Sequence, residues 1–398
     1  MPNTLLTPTI IAKEALMQLK NNCVMGANVH RTFKKEFVKI GETVSIRKPV
    51  KFEVNDGADV SNQLQDITEE STSITISQHK NVAWPWSLKD QTLTIEKFSE
   101  RYITPAMIAI ANVIDNDLTG LYKDVFNGAG TPGTTPNSFA TFGAVSRKLD
   151  EGAVPRNDRR LVLNPAANWE MADALKGTFD RELAKDTIRA GYLGTIAGLD
   201  ILEDQNIRRH TAGSLSGTPL IDTVSNVTYT TTRSNGYSTL HTDGYTGKVL
   251  QGDTFTIAGV YAVNPLSKET LTSLQQFTVI EEKEASTDTP LKVWPMIITS
   301  GAYQTVSAAP ADGAAVTFAA SHAANLAFNK NAFALVTVPF ESVGKGRGVE
   351  MVTMEYDGLT ITVTRGFSIE KFKNIIRLDI MYGYKTIYPE LACRMYGE

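Results

Sequence analysis

The sequence predicts an α+β fold that is interrupted by an all-β insert. Three features support this class: one long apolar helical stripe in residues 104–126, alternating apolar and polar residues in 356–397, and a series of short Thr-, Ser- and Gly-rich strand candidates between about 218 and 319. With 398 residues, 42% hydrophobic and 21% charged, the chain can bury a substantial core. Its length predicts two or three domains.

The charge and cysteine content argue against several classes of protein. The net charge is -4, with 39 basic residues spread among 43 acidic ones, whereas a protein that condenses DNA needs clustered Lys and Arg. The 2 cysteines, Cys23 and Cys393, lie at opposite ends and form neither a disulfide framework nor a zinc motif, which favours a reducing compartment. Met1–Thr9 lacks the pattern of a signal peptide, and no apolar run is long enough to span a bilayer. We therefore expect a soluble chain without a membrane partner.

Residues 1–40 predict a helical arm. Thr7-Pro8 provides an N-cap followed by proline at the first helical position. The apolar residues at helical spacing are Ile11, Ala15, Leu19 and Cys23. Gly26 interrupts the helix, and the basic residues after it indicate a solvated face.

Residues 44–76 predict a long antiparallel hairpin. The first strand alternates from Val44 to Val54, and the return strand begins at Ile74. The basic residues of the first strand are Arg47, Lys48 and Lys51. The acidic residues of the connection are Asp56, Asp59, Asp66, Glu69 and Glu70. Because so long a connection cannot bury itself in a compact domain, we expect it to lie against another molecule.

Trp84-Pro85-Trp86 follows the return strand. Two tryptophans around a proline usually form a local packing cluster. They are also candidates for a subunit contact, since tryptophan is favoured at interface centres. Both interpretations remain open.

A long helix is predicted from Thr104 to Phe126, with Thr104-Pro105 as its N-terminal signal and Asn127-Gly128 as its stop. At about 1.5 Å per residue it would span about 35 Å. Its apolar stripe consists of Ile103, Met107, Ile110, Ile114, Leu118, Leu121 and Val125. We expect this stripe to pack against a sheet.

The rest of the chain predicts mixed structure around a β-rich insert. Helices are expected at 142–149 and 168–175, and strands at 160–163 and 201–204. The strand candidates of the insert are Asn226–Thr231, Thr254–Val260, Phe277–Ile280, Val293–Thr299 and Ala315–Ala319. After the insert, 333–338 returns to the apolar composition of the mixed region, and 356–397 predicts a final antiparallel strand pair.

No catalytic site can be recognised in the sequence. The five histidines, His30, His79, His210, His241 and His322, lack metal-ligand spacing, so each is expected to be a surface or hydrogen-bonded core residue. The glycine-rich loop 344–348 lacks the spacing of a phosphate-binding loop. Asp115 and Asp117 lie on different sides of the long helix. We predict that the chain is not an enzyme and binds no cofactor or metal. Two alternatives stay open. One is a tail or adhesion protein that uses the β-rich insert as a binding module, and the other is an enzyme whose site is assembled from residues scattered in the sequence.

Three segments carry a family resemblance: Gly252–Pro265, Lys330–Pro339 and Tyr356–Tyr396. With the order of parts, they resemble the major capsid proteins of tailed bacteriophages with the Hong Kong 97-type fold. More narrowly, they are similar to P22-type podophage coat proteins, which carry an inserted β-barrel, or Ig-like, domain. The resemblance implies a long spine helix, an extended E-loop hairpin, and axial and peripheral domains.

The resemblance also implies a division of the chain. The implied parts are an N-arm (1–40), an E-loop (41–93), a peripheral domain with the spine helix (94–137), an axial domain (138–220), the inserted β-barrel domain (221–331), a return to the axial domain (332–354) and peripheral C-terminal strands (355–398).

The implied function is a major capsid protein that self-assembles into an icosahedral head shell around double-stranded DNA. Implied partners are further copies in hexamers and pentamers, a scaffolding protein during assembly, and a portal protein. DNA would be enclosed without sequence-specific binding. The implied location is the virion, assembled in the bacterial host cytoplasm. A loop near 232–243 would reach an adjacent capsomer, so Arg233 and Asp243 join the hairpin charges, Trp84 and Trp86 as candidate contact residues.

Overall fold

A computed structural model of the chain describes residues 8–31, 43–52, 69, 71–86, 98–175, 193–222, 236–340, 349–356, 358–368 and 373–398. Its α-helices are α1 (Pro8–Asn22), α2 (Met25–Asn28), α3 (Thr104–Thr119), α4 (Phe139–Glu151) and α5 (Pro165–Leu175). Its strands are β1 (Thr43–Arg47), β2 (Ser71–Thr75), β3 (Gln78–Trp86), β4 (Gly128–Ala129), β5 (Arg159–Leu163), β6 (Thr195–Ile196), β7 (Leu199–Glu203), β8 (Arg209–His210), β9 (Leu215–Ile221), β10 (Ser238–Val249), β11 (Thr254–Val263), β12 (Thr270–Val279), β13 (Lys283–Glu284), β14 (Thr289–Trp294), β15 (Val316–Phe318), β16 (His322–Asn329), β17 (Phe333–Val338), β18 (Val349–Tyr356), β19 (Leu359–Ser368), β20 (Lys373–Thr386) and β21 (Ala392–Tyr396).

The chain forms two units. The first comprises Met1–Ser45, Ser73–Thr119 and Phe333–Ile387, and the second comprises Ile46–Thr72, Gly120–Ala332 and Tyr388–Glu398. No helix in the described ranges is long and apolar enough to cross a bilayer.

In the first unit, α1 and α3 pack with a five-stranded sheet. Its strand order is β17-β20-β19-β18, with β3 also pairing with β20. The predicted first helix is confirmed from Pro8, and its stripe residues Ile11, Ala15 and Leu19 are buried where α1 contacts α3, β18 and β19. The predicted final strand pair is also confirmed, because β19 and β20 pair antiparallel with Val363 opposite Leu378.

The predicted start of the long α-helix at Thr104 is confirmed, but Thr104 is not an N-cap, because it already has a helical backbone conformation. A π-helical turn, Ser99–Ile103, precedes α3, and the Thr104 N–H donates to the Ser99 carbonyl. Pro105 has no N–H, so the usual bond to the residue four positions before it cannot form there. A wider turn accommodates this loss, and the helical winding continues upstream of the proline. After Thr119 the chain tightens into a 3₁₀ segment, Gly120–Asp124, so the α-helical part is shorter than predicted.

Asp115 joins α3 to the segment that follows α1. Its side chain is 1% exposed. Its two oxygens accept hydrogen bonds from the backbone N–H groups of Val24 (2.7 Å) and Gly26 (2.8 Å). A charged acceptor therefore satisfies two N–H groups at the start of α2. Asp117 points elsewhere and accepts from the Tyr382 hydroxyl at 2.7 Å, as expected for residues on different sides of a helix.

Replacing Asp115 with alanine leaves the two N–H groups of Val24 and Gly26 without this acceptor. We expect Asp115→Ala to lower the free energy of unfolding by about 2 to 3 kcal/mol, measured by urea denaturation of the isolated subunit. The neighbouring Asn116 provides the control, and Asn116→Ala should change the free energy of unfolding by less than about 0.5 kcal/mol. Equal effects of the two substitutions would contradict this role for Asp115.

The second unit contains a seven-stranded sheet with the order β4-β21-β16-β5-β7-β6, in which β8 also pairs with β16. Leu161 and Leu163 of β5 are fully buried with Phe142 and Leu149 of α4. The predicted helices and strands of this region are present; each begins one to three residues earlier than predicted, and β7 ends at Glu203 rather than at 204.

The insert forms a second sheet whose ends meet. Its strand order is β13-β10-β14-β12-β11-β15, with β9 pairing with β10. A bridge between Leu220 and Ala315 connects the end of β9 to the start of β15. The strand pairings therefore close into a ring around a core that includes Phe255, Phe277 and Leu291. This closure removes most free sheet edges.

Several strands of the insert differ from the prediction. β9 and β10 are additional to the predicted strands, and β14 ends at Trp294 rather than Thr299. β10 contains a bulge between Asp243 and Tyr245, and Gly244 there has a φ of 77°. Glycine and charged residues mask the strand pattern at such bulges. The predicted strand 226–231 lies outside the described residues.

Strand pairing also differs from the predicted domain boundaries. β16 lies between β21 and β5 in the sheet that also contains β4, and not in the sheet of the insert, although the prediction places 221–331 in the insert. β17 and β18 both belong to the five-stranded sheet, although 332–354 is predicted to return to the axial domain. β21 belongs to the sheet of β4 and β16, although 355–398 is predicted to lie in the peripheral domain. Strand patterns reveal which residues are extended but not which sheet each strand joins. The domain names themselves stay a prediction.

Candidate assembly interface

The hairpin expected to contact another molecule is anchored at its base. β1 and β2 form a two-stranded sheet of their own. Ile46 and Ile74 are 8% and 0% exposed, so the base is held by burial in its own chain. The first strand, predicted to reach Val54, ends at Arg47. Pro49 explains this early end, since it cannot donate to a strand pairing.

The opposite charges of the hairpin pair with each other. Arg47 Nη1 lies 2.8 Å from Glu69 Oε2, and the two side chains are 78% and 49% exposed. Such an exposed ion pair contributes at most about 1 kcal/mol to stability. It orients the two sides of the hairpin, and its charges stay accessible to another molecule.

The other basic residues of the hairpin contact their own chain. Lys48 Nζ lies 5.9 Å from the ring centroid of Trp294 and 5.7 Å from that of Tyr388. The backbone N–H of Lys51 donates to the Tyr303 hydroxyl at 3.0 Å. These contacts lie within the chain, and contact of Lys48 and Lys51 with another molecule stays a prediction. Asp56, Asp59, Asp66 and Glu70 lie outside the described residues.

The tryptophan pair lies at the end of β3. The Trp84 ring stacks on Tyr102, with centroids 6.4 Å apart and an interplanar angle of 12°. This contact favours the packing interpretation of Trp84. The backbone of Trp86 pairs with Asn374, and its side chain lies outside the described part of the structure.

Of the second pair of predicted contact residues, Arg233 and Asp243, the structure describes only Asp243. Asp243 lies in β10 opposite Leu220 and is half-buried. Arg233 lies outside the described residues. Whether these two charges meet a neighbouring molecule stays a prediction.

A buried polar cluster in the second unit has no counterpart among the predicted sites. Its centre is Arg394, which is 0% exposed. Its guanidinium donates to the carbonyls of Gly252 (2.8 Å) and Lys123 (3.3 Å) and to Thr278 Oγ1 (3.3 Å). It also lies 5.1 Å from the Tyr122 ring centroid. Burial lowers the pKa of Arg394, and the donated hydrogen bonds compensate part of the desolvation.

Two histidines belong to this cluster. His210 Nε2 lies 2.8 Å from Asp253 Oδ1, and its Nδ1 lies 3.1 Å from the Tyr122 hydroxyl. A neutral imidazole that donates to Asp253 and accepts from Tyr122 satisfies both nitrogens. Burial also raises the pKa of Tyr122, which keeps this hydroxyl protonated as a donor. The expectation that His210 is a hydrogen-bonded core residue is confirmed.

His322, the second histidine of the cluster, is more deeply buried than His210. It is 0% exposed, its Nδ1 donates to the Ala320 carbonyl at 2.7 Å, and its ring packs on Tyr396 with centroids 4.4 Å apart. In the described ranges, its Nε2 has no hydrogen-bond partner. Burial lowers the pKa of His322 to about 4, and the nearby Arg394 charge acts in the same direction. The cluster therefore holds His322 neutral at physiological pH.

Sequence spacing could not reveal this cluster, because its members come from segments far apart in the chain. Across the residues that the structure describes, no group of three or more His, Cys, Asp or Glu side chains is arranged to hold a metal ion. Burial raises the pKa of the Cys393 thiol to about 12, so this thiol is protonated at neutral pH.

The long helix packed with a five-stranded sheet, the two-stranded base of the hairpin and the closed sheet of the insert agree with the Hong Kong 97-type capsid fold. The sequence model described as "P22 coat protein - gene protein 5" matches residues 3–397. The chain therefore belongs to the P22 coat protein family. It is a major capsid protein of the virion, and copies of it form the icosahedral head shell of a tailed bacteriophage. Because this family consists of structural capsid proteins, the tail or adhesion alternative and the enzyme alternative are both wrong.

Solved structures include similar chains from other phages. A chain from Mycobacterium phage Che8 is 14% identical, with 94% of this chain and 90% of that chain covered and a TM-score of 0.45. The capsid of the cyanophage P-SCSP1u is 11% identical, with 91% and 85% covered and a TM-score of 0.42. The CUS-3 coat protein I-domain is 27% identical, with 27% of this chain and 96% of that chain covered and a TM-score of 0.18. A search of curated proteins found no match.

Proposed function

We propose that copies of this chain join into hexamers and pentamers through the charged hairpin, and that a scaffolding protein guides their closure into a shell. The observation that carries this proposal is the two-stranded sheet of β1 and β2, which pairs with no other described strand. A two-stranded hairpin is marginally stable by itself in water. Contact with a neighbouring copy would therefore stabilise the hairpin.

The charges of the hairpin favour an oriented contact between copies. A basic flank and an acidic connection lie in one element, and Arg47 and Glu69 remain largely accessible. Complementary charges across an interface fix its orientation and suppress wrong pairings. Trp84 and Trp86 are further candidates, because aromatic residues anchor interface centres. Arg233 and Asp243 remain candidates for a contact between capsomers.

The remaining partners follow from the same role. A shell of this kind encloses double-stranded DNA, takes a portal protein at its packaging vertex, and assembles in the host cytoplasm. The net charge of -4 supports enclosure without sequence-specific binding, since 43 acidic residues outnumber 39 basic ones.

Coexpression with the scaffolding protein tests this function directly. We expect closed shells in electron micrographs of the purified particles. Persistent monomers, or open sheets without closed shells, would contradict the proposal.

The acidic connection provides a sharper test. We expect the combined substitution Asp56→Asn, Asp59→Asn and Asp66→Asn to raise the subunit concentration needed for assembly about tenfold, because about 1.4 kcal/mol per contact changes affinity by that factor. Light scattering during assembly measures that concentration. A matched control removes three exposed charges elsewhere, by Glu100→Gln, Glu284→Gln and Glu350→Gln, and should assemble like the unmodified chain. The same assembly concentration for both triple variants would rule out the hairpin contact.

A further inference from the structure

A pocket in the second unit lies beside the basic flank of the hairpin, since Lys51, Trp294 and Tyr303 are among its lining residues. It lies where the C-terminal end of α4, the hairpin of β11 and β12, and the segment after β14 meet, and its volume is about 140 Å³. We call it the Trp294 pocket. Its apolar wall is formed by Val263, Leu271, Trp294, Met296 and Ile298. A cavity of about 150 Å³ accepts a group of the size of benzene, so this pocket has room for one side chain.

The rim of the Trp294 pocket exposes apolar surface. Lys51 and Pro265 line the pocket. The residues that follow them, Phe52 and Leu266, are 62% and 79% exposed, the highest values among the large hydrophobic side chains of the described ranges. A single exposed leucine needs no explanation, but an apolar pocket is typical of a docking site when two of its lining residues are each followed in the chain by an exposed hydrophobic residue.

The turn that carries Leu266 is held in place by hydrogen bonds. Asn264 Oδ1 accepts from the backbone N–H groups of Leu266 (2.9 Å) and Ser267 (3.1 Å). Lys268 Nζ donates to the Ala302 carbonyl at 2.6 Å. The rim is therefore preorganised, which lowers the entropy lost when a partner binds.

Two glutamates that line the pocket determine which kind of polar group an occupant should carry. Within the described residues, Glu151 Oε2 and Glu390 Oε2 are buried and have no hydrogen-bond partner. Lys148 Nζ lies 3.7 Å from Glu151 Oε2, beyond hydrogen-bond distance, and donates instead to Ser273 Oγ at 2.9 Å. Buried carboxylate oxygens without a donor are costly, so an occupant of this pocket should carry N–H groups.

We propose that the Trp294 pocket receives a lysine side chain from a neighbouring copy of this chain. Lysine combines an apolar stem, which suits the wall, with an ammonium group, which supplies donors to Glu390. A second copy is the occupant because this capsid protein forms a shell in which every subunit is surrounded by its own copies. The inference rests on the proposed association of copies and adds a contact that does not involve the acidic connection of the hairpin.

Zero-length cross-linking in assembled shells tests the contact. A carbodiimide couples a carboxyl group to an amine that touches it, with loss of water. In shells made from equal amounts of ¹⁴N- and ¹⁵N-labelled subunits, we expect peptide pairs of mixed isotope content that join Glu390 to a lysine. Glu390→Gln should abolish them, and Glu269→Gln, an exposed residue of the same unit, should leave them unchanged. Closed shells in which Glu390 couples only to Lys51 or Lys148 of the same copy, or stays uncoupled, would overturn this inference and leave the proposed function intact.

Filling the pocket gives a second test. Ala262 lines the pocket, and Ala258 lies on the same strand, is exposed and does not line it. We expect Ala262→Phe to lower the fraction of subunits in closed shells about tenfold, and Ala258→Phe to have no effect. Circular dichroism and thermal melting of both isolated variants show whether they fold. Unchanged assembly of folded Ala262→Phe subunits would overturn the proposed contact, whereas failure of the unmodified chain to form shells would overturn the proposed function as well.

Discussion

Replacing Arg394 with alanine is expected to lower the free energy of unfolding by at least about 3 kcal/mol. The side chain is fully buried and donates to two backbone carbonyls and to Thr278. Hydrogen bonds that involve a charged group contribute about 1.5 to 3 kcal/mol each, and truncation also leaves a cavity. The carbonyls of Gly252 and Lys123 would lose these donors. Urea denaturation of the isolated subunit measures the loss.

Two further variants separate the contributions of Arg394. Arg394→Lys keeps the charge but cannot reach three acceptors with one planar group, so we expect an intermediate loss. Arg147→Ala is the control, since the Arg147 side chain is 65% exposed and pairs only at the surface with Glu151. It should change the free energy of unfolding by less than about 1 kcal/mol. An Arg394→Ala subunit as stable as the Arg147→Ala subunit would show that the buried cluster does not stabilise the fold.

Acidification is expected to destabilise the isolated subunit through His322. The pKa of this imidazole is about 4 in the folded chain, against an ordinary value of 6.5. Below pH 6.5 the unfolded chain binds a proton that the folded chain does not, so stability falls as the pH decreases from 6.5 towards 4. The fully developed loss is about 3 kcal/mol, and at pH 5 it is about 2 kcal/mol. Above pH 6.5 this contribution is constant.

The main physical reason is burial, since a protonated His322 would be a charge without solvent, and the nearby Arg394 charge adds a smaller repulsion. The other groups that face it are His210, Asp253 and Tyr396, and Asp253 is already bonded to His210. Asp253 therefore offers His322 only partial compensation.

The measurement is the free energy of unfolding in urea at pH 7.5 and at pH 5. Asn can donate to the Ala320 carbonyl as the His322 Nδ1 does, but it does not titrate, so His322→Asn should be about 2 kcal/mol less sensitive to this change than the unmodified chain. His241→Asn is the control, because His241 is half-buried and pairs with Asp288 at 2.7 Å near the surface. Parallel pH profiles of the unmodified chain and His322→Asn would exclude this role of His322.

Elements with a strong local pattern were predicted correctly. The helix α1 begins at Pro8 as expected, and the stripe residues of α3 between Met107 and Leu118 are buried. β19 and β20 pair as the alternation from Leu359 indicates. Periodicity predicts such elements because a buried face has to repeat at the period of the helix or strand.

Predictions failed where one residue or one bulge changes the backbone. Pro49 ends β1 early, and Pro105 lies inside a helical segment rather than at its start. The bulge at Gly244 concealed β10. In the candidate interface, the opposite charges of the hairpin were recognised, but their pairing between Arg47 and Glu69 depends on a register that spacing does not reveal.

The sequence by itself determined the parts of this protein: an ordinary globular composition, an apolar long helix, a charged hairpin and a β-rich insert. The order of these parts resembles that of tailed-phage capsid proteins, and this resemblance implied a shell subunit. The tertiary structure alone decided which strands share a sheet, that Lys48 packs on Trp294, and that Arg394 and His322 meet in one buried cluster. The reason is that local patterns record how each segment is buried, whereas contacts between distant segments depend on how the segments pack together.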